Sequence, residues 1–299
     1  MAKAAEVLSP PEILGLSASE ADRLLDTLER TVPVHPPLAR LSGGAVREAV
    51  VFGDTHGDWR STVEVVNRFG AGGEGRFLVG LGDYVDRSPE DCPGGSVANA
   101  LFLLQWAAHA PSRVVLLQGN HETVRRIAAY PQTLPDEVDE LWGPEVDRYD
   151  RLLALLERGP IAATSANGAY FAHAGFPRVL GAPDWYSSFE SVSEDVLAEV
   201  VWAECDASRR RRGGSIPWGA ADLNAFLRAT GLTVFLRGHD PDVTGRSLYG
   251  DRCLTLQTTR IYERFGGVIV ARVPLERPLV SIHDLEVEHL STEGRSFDA

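Results

Sequence analysis

Three short apolar runs, each broken by Gly and then by an oxygen-bearing side chain, constrain this sequence more than anything else in it. Val50-Val51-Phe52 leads into Gly53-Asp54-Thr55-His56-Gly57-Asp58. Residues 77–81 lead into Gly82-Asp83-Tyr84-Val85-Asp86-Arg87, and residues 114–117 into Gly119-Asn120-His121-Glu122. Apolar runs this short, bounded by Gly, read as buried strands, and side chains just past their carboxyl ends face the crevice where open α/β sheets bind ligands. An Asp and a His two residues apart can both reach one divalent ion, because carboxylate oxygen and neutral imidazole suit Zn, Mn and Fe.

The segments between these runs have a helical period. Trp59, Val63, Val66 and Phe69 predict a helix over 59–69, and a strongly apolar helix is expected over 97–108. The resulting βαβαβ order implies a largely parallel sheet covered by helices, with its loops gathered at one end. Upstream, Leu24, Leu25 and Leu28 mark a lead-in helix over 17–32, with Ser17 or Ser19 as N-cap and Pro33, Pro36 and Pro37 ending it. Another helix is expected after His121, a Pro- and acid-rich surface excursion over 130–147, and a helix over 147–157. Residues 161–164 and 169–172 flank Ala166-Asn167-Gly168, a hairpin signal, and the second arm ends in His173-Ala174-Gly175. Helices are read over 193–205 and 223–228, and a strand over 233–236 that ends in Arg237-Gly238-His239-Asp240. Residues 254–256, 268–272 and 279–282 read as strands of a second, antiparallel or mixed sheet. No repeat, low-complexity tract or linker interrupts the chain, so one domain over 1–299 is expected, with its motifs inside 45–272.

Charge and cysteine usage exclude several classes of function. A net charge of -13 argues against a general nucleic-acid binder, whose affinity rests on cations facing phosphates. An anionic substrate must be drawn in by a local basic site. Cys92, Cys205 and Cys253 are too widely spaced for a disulfide framework or a Cys-x-x-Cys zinc site, and read as reduced, buried thiols of a cytoplasmic protein. The N-terminal segment lacks an apolar signal region and no run reaches the ~20 apolar residues of a membrane span, so no membrane association is expected.

In order along the chain, Gly53 to Gly57, Gly82 to Arg87, Gly119 to Glu122, His173 to Gly175 and Arg237 to His239 resemble the five motifs of the PPP family of metal-dependent serine/threonine protein phosphatases, within the calcineurin-like metallophosphoesterases. The resemblance implies an α/β fold in which two mixed β-sheets pack as a sandwich flanked by helices. It also implies two divalent metal ions, manganese first, with iron or zinc as alternatives. Asp54, His56 and Asp83 would hold one ion; Asp83, Asn120, His173 and His239 would hold the second, with Asp83 bridging. A hydroxide bridging such ions would attack phosphorus directly, with no phosphoenzyme. The family's proton donor corresponds to His121, oriented by Asp86. Arg87, Asn120 and Arg212 correspond to phosphate-gripping groups, Arg212 through the match of Arg212-Gly213-Gly214-Ser215 to an Arg-Gly-x-Ser segment, and Tyr262 to an active-site tyrosine. The implied partner is a phosphoprotein or phosphopeptide; the resemblance does not fix the oligomeric state, and a monomer is assumed.

Other readings stand beside these. Arg209, Arg210 and Arg211 read as solvated or steering charges. His35, His109, His283 and His289 read as surface or core histidines, and Asp58 and Glu122 as acids that support the ligands or cap a helix. Three departures from the family matter: Ser88 replaces a Gly whose turn would take a positive φ, the fourth motif reads His-Ala-Gly, and the Ser-Ala-Pro-Asn-Tyr segment is absent around residues 258–262. The alternative enzyme is a nucleotide phosphoesterase such as a symmetrical dinucleoside tetraphosphatase. A catalytically dead phosphoprotein scaffold is the third reading, and it should have lost a ligand that this sequence retains.

Overall fold

Alternation along each apolar run divides its side chains between two layers. The computed structural model describes residues 7–42, 44, 46–70, 75–144, 147–178, 188–209 and 216–290. They form α1 (Pro10–Leu14), α2 (Ala18–Thr31), β1 (Leu38–Leu41), β2 (Glu48–Phe52), α3 (Trp59–Phe69), β3 (Arg76–Gly80), α4 (Gly95–His109) and β4 (Val114–Leu116). Next come α5 (Leu134–Trp142), α6 (Arg148–Leu156), β5 (Ala162–Ser165), β6 (Ala169–Ala172), α7 (Glu194–Val201), β7 (Glu204–Cys205), β8 (Pro217–Trp218) and α8 (Ala220–Thr230). The chain closes with β9 (Val234–Arg237), β10 (Ser247–Leu248), β11 (Cys253–Thr255), β12 (Ile269–Pro274) and β13 (Glu286–His289). One sheet runs β13-β12-β2-β3-β4, with β2, β3 and β4 parallel; the other runs β1-β5-β6-β9-β11-β10.

Ala49 and Val51 of β2 face inward and meet Phe171 of β6 and Leu236 of β9, so the two sheets share one apolar layer. Val50 and Phe52 face outward and pack under α2, α3, α4, α5 and α6. The second sheet turns Tyr170, Ala172 and Phe235 the other way, against α7 and α8. This is the sandwich flanked by helices that the motifs implied.

Local sequence accounts for the helices that bracket the site. Ser17 caps α2 while the Glu20 carboxylate accepts the Ser17 N–H at 2.9 Å, and Ala21, Leu25 and Leu28 then recur on the buried face. Asp58 caps α3 by accepting the Ser61 N–H, and its Trp59, Val66 and Phe69 are buried as their period predicts. α4 is buried along nearly its whole length, which is why its sequence is apolar on all sides.

Several expectations are corrected. Residues 121–133 form turns rather than a helix, and the expected surface excursion over 130–147 contains α5. Leu134, Val138 and Trp142 are buried at a spacing of four, a helical stripe hidden among Pro and acids, and Pro135 fits the first turn where no N–H is needed. The helix expected over 193–205 stops at Val201, and Glu204–Cys205 pairs with β8 instead. The strand near 268–272 is β12, which joins β2 antiparallel in the first sheet rather than the second. Residues 279–282 are not a strand: Ile282–Asp284 is a 3-10 turn and the edge strand lies beyond it at β13, whose Glu286-Val287-Glu288-His289 holds a single apolar residue and so carries little apolar signal. Ser88 takes no left-handed φ; Asp86 and Arg87 do, at 64° and 57°. The three cysteines are free and buried, as expected.

Candidate metal centre

The carboxyl ends of β2, β3 and β4 abut the ends of β6 and β9, and the five motifs meet there. Backbone bonds join the loops: Thr55 and His56 N–H donate to the Asp83 carbonyl at 3.1 and 2.9 Å, and Gly238 N–H donates to the His173 carbonyl at 2.9 Å. The turns are strained. Of the seven non-glycine residues with a left-handed φ among the described residues, His56, Asp83, Asp86, Arg87 and His239 are five. Such backbone persists only where surrounding bonds over-determine it, and here it aims five side chains into one space. Gly238 permits that approach, since a Cβ there would lie 2.1 Å from Asp54 Oδ1.

Asp54, His56, Asp83, Asn120, His173 and His239 are all buried and adjacent. His173 Nε2 lies 2.9 Å from Asn120 Oδ1, 3.1 Å from His239 Nδ1 and 3.4 Å from Asp83 Oδ2. His56 Nε2 lies 3.7 Å from Asp83 Oδ2 and 3.9 Å from Asp54 Oδ2. Asp83 faces both groups. Asp54 is held by the His239 N–H at 3.0 Å and Gln257 Nε2 at 3.1 Å.

The donor set fits a divalent cation. His56 Nδ1 and His173 Nδ1 each lie 3.0 Å from a backbone carbonyl, of Val85 and Leu81, which only an N–H can face. In the neutral ring the His173 Nε2 lone pair therefore faces Asn120 Oδ1 and Asp83 Oδ2, an arrangement of acceptors that a cation between them satisfies, while the His56 Nε2 lone pair faces the Asp54 and Asp83 carboxylates and Arg87 Nη1. The electrostatics agree. Burial opposes charge on His173, yet Asp83 and Asp54 outweigh it and raise its pKa to about 9. Burial keeps His56 neutral, with its pKa lowered to about 3. Burial also works against ionising Asp83, but His173 and His121 hold its carboxyl well below the usual range. Oxygen and imidazole donors without thiolate suit Mn, Fe or Zn.

Around this cluster lie the other candidate residues. His121 Nδ1 is 2.5 Å from Asp86 Oδ2, and His121 Nε2 is buried with no hydrogen-bond partner. The other Asp86 oxygen accepts the Thr133 and Leu134 N–H groups, at 2.6 and 2.9 Å, from the first turn of α5. Arg87 reaches inward: its Nη1 lies 3.3 Å from His56 Nε2 and 3.2 Å from the Tyr262 hydroxyl, and its Nη2 donates to the Tyr130 carbonyl at 2.8 Å. Tyr262 thus joins the site, with its ring edge-on to His56 at 5.8 Å. Arg212, together with the rest of 210–215, lies outside the described residues.

Two roles expected for supporting acids have a visible geometry. Glu122 accepts the N–H groups of Asp83, Tyr84 and Gly119 at 2.7, 2.8 and 2.8 Å, stitching the second motif to the third; burial lifts its carboxyl to about 7. Asp58 accepts from α3 and also from Arg260, a residue that sequence reasoning missed because its partner lies 202 positions away.

The family profile for calcineurin-like phosphoesterases matches residues 49–242. The chain is 27% identical over 234 residues to a probable serine/threonine-protein phosphatase of Encephalitozoon cuniculi, covering 74% of this chain and 48% of that protein. It is 26% identical over 239 residues to a catalytic protein of the protein phosphatase 2A type from Dictyostelium discoideum, covering 77% of this chain and 74% of that one. Against the Encephalitozoon relative the chain spans about half the relative's length. Among solved structures, a Saccharomyces cerevisiae serine/threonine phosphatase described as similar to human PP5 superposes with a TM-score of 0.70 at 20% identity, covering 94% of this chain and 89% of that one. A cold-active protein-tyrosine phosphatase of Shewanella gives a TM-score of 0.58 at 16% identity, covering 82% of this chain and 79% of that one. At such identities these two likenesses speak for the fold. The profile spans all five motifs, and the residues it spans converge on one buried donor cluster, so the chain belongs to the calcineurin-like phosphoesterase family.

Proposed function

We propose that this chain is a metal-dependent serine/threonine protein phosphatase of the PPP type, hydrolysing phosphomonoesters of phosphoprotein or phosphopeptide substrates. The observation that carries the reading is the His121–Asp86 pair beside the donor cluster: a buried imidazole bound at Nδ1 by a carboxylate, with Nε2 unpartnered and beside the proposed metal ligands. Serine and threonine alkoxides are poor leaving groups, so a positioned proton donor is worth ~100-fold to 10,000-fold. Nucleotide enzymes, whose leaving group is itself a phosphate, need it less.

In this reading Asp54, His56 and Asp83 hold one divalent ion and Asp83, Asn120, His173 and His239 the other, manganese being the first choice. When bound, such a pair supplies an activated water and neutralises phosphoryl charge. The chain's own residues do the rest. Arg87 offers its guanidinium to the phosphoryl oxygens, exchanging its contacts with Tyr262 and the Tyr130 carbonyl for the substrate's. Asp86, fixed by the first turn of α5, keeps the His121 ring turned so that Nε2 faces the leaving oxygen. Arg212 is proposed as a second phosphate ligand on its match to the family motif.

The test is phosphate release by manganese-loaded protein from matched phosphoserine, phosphothreonine and phosphotyrosine peptides, beside diadenosine tetraphosphate, with Asp83→Asn as the blank. Turnover of phosphoserine and phosphothreonine peptides that vanishes in the variant is expected. Turnover of the dinucleotide alone would move the enzyme to nucleotide substrates, and turnover that survives Asp83→Asn would remove the site assignment.

A further inference from the structure

Tyr262 reaches Arg87 from a stretch of chain with no sheet to hold it. The segment from β11 is pinned as far as residue 258, where the Thr258 N–H donates to the Asp54 carbonyl at 2.9 Å and the Thr258 hydroxyl to the Ile269 carbonyl at 2.7 Å. After that it leaves both sheets as the 3-10 turn Arg260–Phe265. Arg260 ties this turn to the loops of the first and second motifs. The Arg260 N–H donates to Asp58 Oδ2 at 2.8 Å, while its side chain donates to the same carboxylate through Nε, 3.1 Å from each oxygen, and Nη2, 2.8 Å from Oδ1. Arg260 Nη1 then reaches Asp91 Oδ2 at 2.6 Å, in the loop that follows Arg87, and Nη2 lies 3.2 Å from Cys92 Sγ.

We infer that the Asp58–Arg260 pair positions Tyr262 against Arg87 and so sets how the Arg87 guanidinium is presented to the phosphoryl group; the inference rests on the phosphatase reading above. Asp58 stands two residues after His56 and Arg260 two residues before Tyr262. A single carboxylate therefore locks the metal-ligand loop to the tyrosine turn, with the Arg87 loop joined through Asp91. The pair is strong for its location: the Asp58 side chain is 0% and the Arg260 side chain 20% exposed. A forked guanidinium bound by main chain and side chain to one buried carboxylate has a single geometry, which an ammonium cannot reproduce. The same carboxylate caps α3, accepting the Ser61 hydroxyl at 2.7 Å, so the anchor is itself fixed to a rigid element. This chain lacks the Ser-Ala-Pro-Asn-Tyr segment, and the pair explains how its tyrosine still arrives at the site.

The variants are Arg260→Lys and Asp58→Asn; the second keeps a capping oxygen for Ser61 and stands in where the first fails to fold. Hydrogen exchange is read first, on intact protein without turnover. Amides of residues 260–266 should exchange about tenfold faster in either variant while those of 59–69 and the bound manganese are unchanged. With para-nitrophenyl phosphate, KM should rise about three- to tenfold with kcat within about twofold, the pattern of lost binding rather than lost chemistry. Tyr262→Phe should give the same rise and add little to Arg260→Lys, because both remove one interaction. Unchanged exchange at 260–266, or kinetic losses that multiply in the double variant, would overturn the inference. If the wild-type chain releases no phosphate from any ester, the phosphatase reading fails by itself; the exchange arm still decides the tether, with inorganic phosphate affinity by calorimetry in place of KM.

Discussion

Replacing His121 with Asn tests the proposed proton donation separately from metal and phosphate binding. The imidazole is bound at Nδ1 by Asp86, and Nε2 has no partner to lose. His121→Asn should therefore lower kcat on alkyl phosphates by ~100-fold to 10,000-fold and on para-nitrophenyl phosphate far less, because a nitrophenolate leaves without a proton. Parallel kinetics on the two esters check this, and equal losses would remove the assignment. Asp83 makes the complementary case. It faces both His56 and His173, so Asp83→Asn should abolish stoichiometric manganese binding, measured by elemental analysis after gel filtration, while the fold persists. These candidate residues were legible in sequence because each sits in a contiguous motif of four to six residues at the end of a strand. Arg260 was not legible, since nothing near it in the chain announces a partner at Asp58.

At the scale of elements, α5 links stability to chemistry. Its first N–H, with that of Thr133 just outside, holds Asp86, and Leu134 is the buried side chain that seats this end. Leu134→Ala should cost about 2–5 kcal/mol of stability by urea denaturation, and should lower kcat on alkyl phosphates with metal content unchanged. The sequence concealed α5 because its apolar residues stand among Pro and acids; only the depth of the groove it fills shows that Leu134, Val138 and Trp142 are core. Strand β12 shows the same limit. Its apolar alternation declared a strand, but pairing with β2 rather than with β11 depends on how the chain turns at Gly266 and Gly267.

For the molecule as a whole, the donor cluster gathers ionisable groups away from water. Asp54 and Asp83 are buried carboxylates among the imidazoles of that site, and a divalent ion that binds only the folded chain adds stability by mass action. Manganese at about 100 times its Kd should raise the melting temperature by roughly 5–10 °C over chelator-treated protein, a shift absent in Asp83→Asn. Differential scanning calorimetry checks it, and no shift would remove the metal assignment. Among the described residues no helix is long and apolar enough to cross a membrane.

The sequence alone determined the parallel β2-β3-β4 unit, the family, and the identity of the buried donor residues, because each is written in short-range patterns: apolar runs, glycine breaks and side chains one or two positions apart. Only the tertiary structure decided which strand closes the first sheet, that α5 lies against Asp86, and that Arg260 binds Asp58. Those contacts join residues tens to hundreds of positions apart, and their energy comes from burial and charge pairing, which exist only once the two sheets have packed and excluded water.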